Sequence, residues 1–496
     1  MQALLAAALF ALLAVGAVVA VLVFWNRSDE PPSSSSPSPT PAVTPQPSDL
    51  PPSASPSPSP PPASPPPVEE EPAPTEPTAG LPNDEPWPTF GRGRGRIGFA
   101  RAVELVPPFD EVWSVDGESP LLFPPVVAYG HVFAATSRGR VMAVDAESGE
   151  VLWEVAAGRC IAGSPAAANK VLFVSLMDPA PCKPHDRGAP GYVVALAAAT
   201  GDEIWRFEAG VIESSPLVVG NRVFVGSWDN SVYAIDVETG EGIWSYETED
   251  RIRGGATFGK GRIYIAGDDD MLYALSARDG ELAWSAKADG NFRTTPVISA
   301  GRVFIGNADG NVYAFDAEDG EGLWTYAAGG PVFGTPAIRQ NTVYGGSEAG
   351  QLFALNAATG DLRWSFDAAS PILGSPTVFA EHVYISTGAK KVHALNAQTG
   401  EEVWSFDDGR RASLVADSAR VYLSGSRTLY ALEPASEDDA LDEESVDKPP
   451  AEPAAEEPGE EERDSELGAE TAEGAGERDD GSTPESDGSE GSGITS

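Results

Sequence analysis

Positive charge is scarce in this chain: 32 lysines and arginines face 75 aspartates and glutamates over 496 residues, a net charge of −43. Nucleic-acid binding needs a Lys/Arg surface to neutralise phosphates, so that class of function is excluded. Histidine is nearly as rare. His131, His185, His382 and His393 are scattered with no triad-like grouping, and His131, His382 and His393 fall at strand or strand-edge positions, where packing is the usual role. Cysteine is limited to Cys160 and Cys182. Neither follows the apolar N-terminus, which rules out a lipid-anchored cysteine there. EF-hand ligand spacing is absent, so acidic turns such as Asp268-Asp269-Asp270 and Asn307-Ala308-Asp309-Gly310 read as hairpin turns rather than calcium sites.

What is present divides the chain into four parts. Ala3 to Trp25 is an unbroken apolar run, long enough to cross a bilayer as a helix. Residues 1–27 are expected to be a transmembrane signal anchor. A cleaved signal peptide is the rival, with Val18-Val19-Ala20 as a weak cleavage site; the run exceeds the usual h-region and lacks a preceding basic residue. Residues 28–86 are a Pro/Ser-rich linker expected to be disordered and to sample extended polyproline-II. Residues 437–496 form an acidic tail, expected to be disordered, that carries about half of the net charge. Residues 87–436, between these segments, are expected to form the folded domain.

That central part is a repeat. Trp113, Trp153, Trp205, Trp244, Trp284, Trp324, Trp364 and Trp404 recur at intervals that are, with one exception, about 40 residues, the length of a four-stranded propeller blade. One copy, residues 214–244, parses into four short strands separated by turns. A glycine stands four residues before each tryptophan from the second onward: Gly149, Gly201, Gly240, Gly280, Gly320, Gly360 and Gly400. The Tyr-Ala-Leu-like third strand occurs eight times, and its last copy, Leu429-Tyr430-Ala431-Leu432, has no fourth strand after it. Conversely, Glu111-Val112-Trp113-Ser114 is a fourth strand without a preceding three. The expected fold is all-β: an eight-bladed β-propeller of four-stranded antiparallel blades, closed by the N-terminal strand.

The elements Ala-x-Asp-x-x-Thr-Gly-x-x-x-Trp, present as Ala234–Trp244 with close variants at Ala143–Trp153 and Ala314–Trp324, resemble the repeat of pyrroloquinoline-quinone-type propellers. Asn replaces Asp at Asn356 and Asn396. That superfamily includes quinoprotein alcohol dehydrogenases and BamB-type lipoproteins of outer-membrane protein assembly, both eight-bladed. Trp87-Pro88-Thr89-Phe90-Gly91 also resembles the segment that leads into such rings. The resemblance implies that the eight tryptophans are structural and dock between blades. The dehydrogenases' chemistry calls for a calcium held by side-chain oxygens, an aspartate base, a tryptophan floor and commonly a vicinal disulfide. Here no two cysteines are adjacent and most repeats are near minimal length, so an enzyme is not expected, and neither a cofactor nor a metal is assigned.

Function is sought where the repeats differ. The step from Trp153 to Trp205 is overlong; the excess, Asp178–Gly191, carries Cys182. Cys160 lies in a loop on the same face and sector, so a Cys160–Cys182 disulfide is expected, against two free thiols. Such a bridge would pin the loop Pro179–Pro190 as a recognition element. A second difference emerges when the repeats are aligned on the Ser-Pro or Thr-Pro that opens the innermost strand. Three residues before the proline position stand Leu122, Ala162, Glu213, Arg253, Arg293, Phe333, Leu373 and Arg411. These should crowd the mouth of the central channel. The arginines, with Arg251 and Arg410, either form a positive spot for an anionic ligand or acidic peptide, or pair with neighbours such as Glu213, Asp250 or Asp407.

The expected function is a non-catalytic, monomeric binding scaffold, anchored in the cell membrane and displayed outside it, with envelope proteins or peptides as partners in the manner the BamB resemblance implies. The alternative is a pyrroloquinoline-quinone-dependent oxidoreductase or a degenerate relative. A sensor would need a cytoplasmic partner to carry its output.

Overall fold

The computed structural model describes residues 87–177, 179, 190–409 and 413–436. The apolar run, the Pro/Ser segment and the acidic tail lie outside the described residues, as do Cys182, His185, Arg410 and Arg411. Among the described residues no helix is long and apolar enough to cross a membrane.

Seven of the eight blades are built on a meander of four consecutive antiparallel strands. The third blade comprises Leu217–Val219, Arg222–Gly226, Ser231–Asp236 and Gly242–Glu247. Its second and third strands are buried on both faces through Val223, Phe224, Val225, Val232, Ala234 and Ile235, which is why they read as nearly continuous apolar runs. The outer strand alternates exposed and half-buried positions. Eight such sheets make the propeller. The insertion sits in the second blade, between Val171–Leu176 and Gly191–Ala197.

The turn before each outer strand is set by local chemistry. In the third blade the Asp236 carboxylate accepts the backbone N–H groups of Glu238 and Thr239, both at 2.9 Å. Gly240 then adopts φ +74 and donates to Asp236 O at 3.0 Å. Asn396 fills the same role by accepting from Gln398 and Thr399 at 2.9 and 3.1 Å. The substitution is tolerated because the turn needs a side-chain acceptor, not a charge.

The glycine has a second reason to be there. The tryptophan of the preceding blade lies flat against it, and a Cβ on any of the seven turn glycines would approach that ring to 2.6–2.8 Å. The indole N–H then donates to the backbone of the same neighbour: Trp205 to Val237 O at 2.9 Å, Trp153 to Ala198 O at 2.9 Å, Trp113 to Ala146 O at 3.3 Å. Trp404 departs from the pattern. Its neighbouring blade has no such turn, and it packs edge-on against Phe109 at 5.3 Å instead.

Phe109 opens the strand Phe109–Asp116, which pairs antiparallel with Thr428–Pro434 as the outer strand of the eighth sheet. Trp113 on that strand meets Gly149 of the first blade.

The inner strands meet around the axis, where their inward backbone groups have no sheet neighbour. The segment before Phe109 supplies one. Carbonyls of Trp87, Pro88, Arg94, Gly95, Ile97 and Gly98 accept from Val127, Ala167, Phe258, Ile298, Ile338 and Val378 N at 2.7–3.2 Å. Six blades are thus tied by one stretch of chain, whose Phe99–Ala100 adds a parallel strand to the seventh. At its centre Arg96 is fully buried, donating to Ala256 O, Phe90 O, Ser215 O and Pro216 O at 2.6, 3.0, 3.1 and 2.9 Å. Burial pulls its pKa down to about 9. Carbonyl dipoles, rather than a carboxylate, hold this cation.

Two expectations follow from the packing. Gly240→Ala should destabilise the propeller by about 2–4 kcal/mol, combining backbone strain with overpacking against Trp205. Gly220→Ala, at φ +60 with nothing within 4 Å of its would-be Cβ, should cost only about 1 kcal/mol; chemical denaturation of both variants measures the gap, and equal losses would remove the ring contact as the cause. Deleting residues 109–115 should lower the melting temperature of the whole propeller, and an unchanged melting temperature would show that this strand contributes nothing to it.

Candidate functional site

The seven described positions of the aligned register, Leu122, Ala162, Glu213, Arg253, Arg293, Phe333 and Leu373, all line one cavity of about 350 Å³ at the axis. The eighth, Arg411, lies outside the described residues together with Arg410. Phe90 of the crossing segment also lines the cavity. Arg96 hydrogen-bonds to its carbonyl and to those of Ser215 and Pro216. The segment is therefore the floor of a cup.

The arginines around this cup differ in how far they are used. Arg253 donates to Glu213 at 3.1 Å and to Asp268 at 3.0 Å, with its guanidinium 4.5 Å from the centre of the Trp228 ring. Arg251 bonds to the same Asp268 oxygen and lies 4.9 Å from the same ring. Asp268 is buried, its side chain 4% exposed, and two cations offset the cost of that burial. For Arg251 and Arg253, then, pairing is the outcome, with Asp268 as the shared partner. Arg293 is different. Its Nε is 3.7 Å from Asp268 Oδ1, beyond hydrogen-bond length, and its side chain is 40% exposed beside Phe333.

Trp228 was hidden from repeat counting because it stands in a turn, off the 40-residue period. Its Nε1 donates to Glu213 at 3.2 Å. Its ring is buried in a small cluster with Cys160, Met177 and Val211, against which Ala162 packs. The stem of the insertion and the arginine group therefore share one apolar cluster. A second alignment would have found it. Ser137, Met177, Trp228, Asp268, Ala308, Glu348 and Gly388 occupy one register position after the second strands, each donating its N–H to the loop that precedes the inner strand, as Trp228 N does to Val211 O at 2.9 Å. This position varies around the ring as widely as the first.

Cys160 is buried and disulfide-bonded; Cys182, its expected partner, lies outside the described residues. Both ends of the insertion are held by Arg159. It donates to Met177 O at 2.7 Å and to Pro190 O, forms a bridge with Pro179, and lies 4.8 Å from the Tyr192 ring. Among the histidines, His393 is buried and bonded to Glu402 at 2.8 Å. His131 and His382 open second strands. None of these three lines the cup.

Comparison with known proteins bears on what this architecture is. A family profile described as outer membrane protein assembly factor BamB matches residues 109–180, and one described as the β-propeller of a beta-alanine-activating enzyme matches 212–415. The outer membrane protein assembly factor BamB of Shewanella oneidensis is 31% identical over 140 residues, 25% of this chain; the aligned part spans only 32% of that relative's own length. Among solved structures, BamB from Moraxella catarrhalis superposes with a TM-score of 0.56 at 19% identity, covering 66% of this chain and 100% of that one. The quinohemoprotein alcohol dehydrogenase of Comamonas testosteroni superposes with a TM-score of 0.60 at 16% identity, covering 71% and 81%. At these identities the two structures share a fold with this chain. Taken with the repeat and its eight blades, the similarities make this chain a PQQ-like β-propeller protein.

Proposed function

We propose that the chain is a BamB-like, non-catalytic binding scaffold of the cell envelope, held to the membrane by the run Ala3–Trp25 and carried outside it by the Pro/Ser segment 28–86. Its partners are envelope proteins or peptides, engaged at the mouth of the cup and along the pinned insertion. One observation carries this proposal: the seven described residues of the first variable register converge on a single cup, and Trp228, bonded to Glu213 of that register, joins it to the stem of the long insertion. A propeller whose repeats are otherwise nearly uniform concentrates its individuality there. The ring that presents this mouth is kept closed by the strand Phe109–Asp116, a role supported by its ladder with Thr428–Pro434.

The second candidate, a quinoprotein oxidoreductase, is favoured by the superposition on quinohemoprotein alcohol dehydrogenases. A calcium-held quinone at the axis fits the described residues poorly. The buried carboxylate beside the cup, Asp268, bonds Arg251 and Arg253 through Oδ2; its Oδ1 accepts no hydrogen bond, but the adjacent guanidinium groups repel a further cation there. Phe90 lines the floor, and no tryptophan lines the cup among the described residues. These features support binding over catalysis.

Two measurements separate the candidates. Crosslinking of the full chain in intact cells should capture envelope proteins, with capture reduced by Arg293→Ala combined with Arg411→Ala; unchanged capture would remove the cup mouth from the interface. Dye reduction by the purified protein with added pyrroloquinoline quinone and calcium should stay at background, and turnover above it would overturn the non-catalytic assignment.

A further inference from the structure

The wall of the cup is lined with hydroxyl groups whose orientation is set by the fold. At the start of four of the inner strands a Ser or Thr hydroxyl receives a backbone N–H of the preceding blade. Ser164 N donates to Ser215 Oγ at 2.9 Å, Gly255 N to Thr295 Oγ1 at 2.9 Å, Thr295 N to Thr335 Oγ1 at 3.3 Å and Thr335 N to Ser375 Oγ at 2.8 Å. A hydroxyl that accepts a backbone N–H still has its own proton to give. Among the described residues none of these four protons has an acceptor, and all four side chains line the cup. The belt is broken where the sequence dictates. Pro124 has no N–H to offer, and Ser164 Oγ, which would receive it, is buried without a partner.

Into the same cup points Arg293, whose guanidinium makes no hydrogen bond among the described residues; it stands 3.7 Å from Asp268 Oδ1, an ion-pair contact only, and 5.9 Å from the Phe333 ring. The rest of the wall is divided by chemistry. Blades three to five contribute Glu213, Arg253 and Arg293, whereas blades six, seven and one contribute Phe333, Leu373, Leu122 and Phe123. A volume of about 350 Å³ is at the small end of ligand pockets. It admits one compact molecule and not a folded domain.

Resting on the proposal above that this propeller is a binding module, we infer that the cup itself is a site for a small amphiphilic oxyanion. A phosphate or carboxylate head is held by Arg293 and the hydroxyl belt, and an apolar body lies against Phe333, Leu373 and Leu122. Hydroxyl protons and a guanidinium fork are all donors, so an anionic acceptor satisfies them together. The apolar sector gives no return on a bare inorganic ion. Glu348 also lines the cup and has no ion pair among the described residues, so it works against the anion through charge repulsion.

The test is calorimetric titration of the full-length protein with phenyl phosphate, phenylacetate and inorganic phosphate, alongside the variants Arg293→Ala and Glu348→Gln. Phenyl phosphate or phenylacetate should bind, and which of the two binds tighter identifies the head group. Inorganic phosphate should be weaker than phenyl phosphate. Arg293→Ala should weaken binding about ten-fold or more at unchanged melting temperature. Glu348→Gln should strengthen it, by about two-fold or more. The site is refuted if neither aromatic anion binds at millimolar concentration, if inorganic phosphate binds as tightly as phenyl phosphate, or if Arg293→Ala leaves affinity intact. Failure here is distinguishable from failure of the scaffold role. Partner capture in cells without probe binding removes the cup alone, and probe binding without partner capture removes the scaffold role while the cup stands.

Discussion

The contact on which this molecule depends is a tryptophan lying on a glycine. In each of seven blade junctions the indole ring covers the turn glycine of the next blade, closer than any Cβ would permit, and all seven indole N–H groups bond to that neighbour's backbone. The geometry couples two requirements at one residue. The turn needs a positive φ, and the ring needs bare backbone. Because the tryptophan belongs to one blade and the glycine to the next, each repeat is completed only by its neighbour. The eighth junction shows the rule by its exception. Where chain order leaves no turn to cover, Phe109 takes the glycine's place and meets Trp404 edge to face.

A ring built this way exposes inward backbone at its axis, and the segment from Trp87 to Val103 answers that need. It contributes carbonyls to six inner strands and places Arg96 among carbonyls at the centre. The cost of burying a guanidinium is offset by four charge-assisted bonds, and the consequence is functional. A channel becomes a cup with a floor, and the residues around its mouth enclose a volume rather than a passage. Stability and site geometry here come from the same stretch of chain.

The cup also shows how a uniform repeat acquires individuality. Two register positions vary freely around the ring because neither belongs to the turn, the glycine contact or the strand interiors. In blades three and four their side chains meet. Trp228 stacks beneath Arg251 and Arg253, bonds to Glu213 and reaches Cys160 at the insertion stem. What look in one dimension like separate irregularities, the stem of an overlong repeat and a group of arginines, meet at one buried cluster.

Much of this was legible in one dimension. The 40-residue period, the Asp-x-x-Thr-Gly turns, the eight third strands and the channel-mouth register of Glu213, Arg253 and Arg293 are all short-range properties. Side-chain acceptors, positive φ and strand alternation act within a few residues, so they print themselves on the sequence. Trp228, Asp268 and Arg96 did not. Trp228 and Asp268 stand in turns and read as turn residues, and Arg96 sits in a Gly-Arg alternation that reads as solvated loop. Their roles arise from contacts between different blades, or across the axis, and such contacts exist only once the ring has formed. The sequence by itself determined a propeller and the positions at which it would vary. Only the tertiary structure decided that Arg251 and Arg253 hydrogen-bond to Asp268 while Arg293 stands 3.7 Å from it, and that the axis was floored, because charge pairing and burial depend on distances that chain order does not encode.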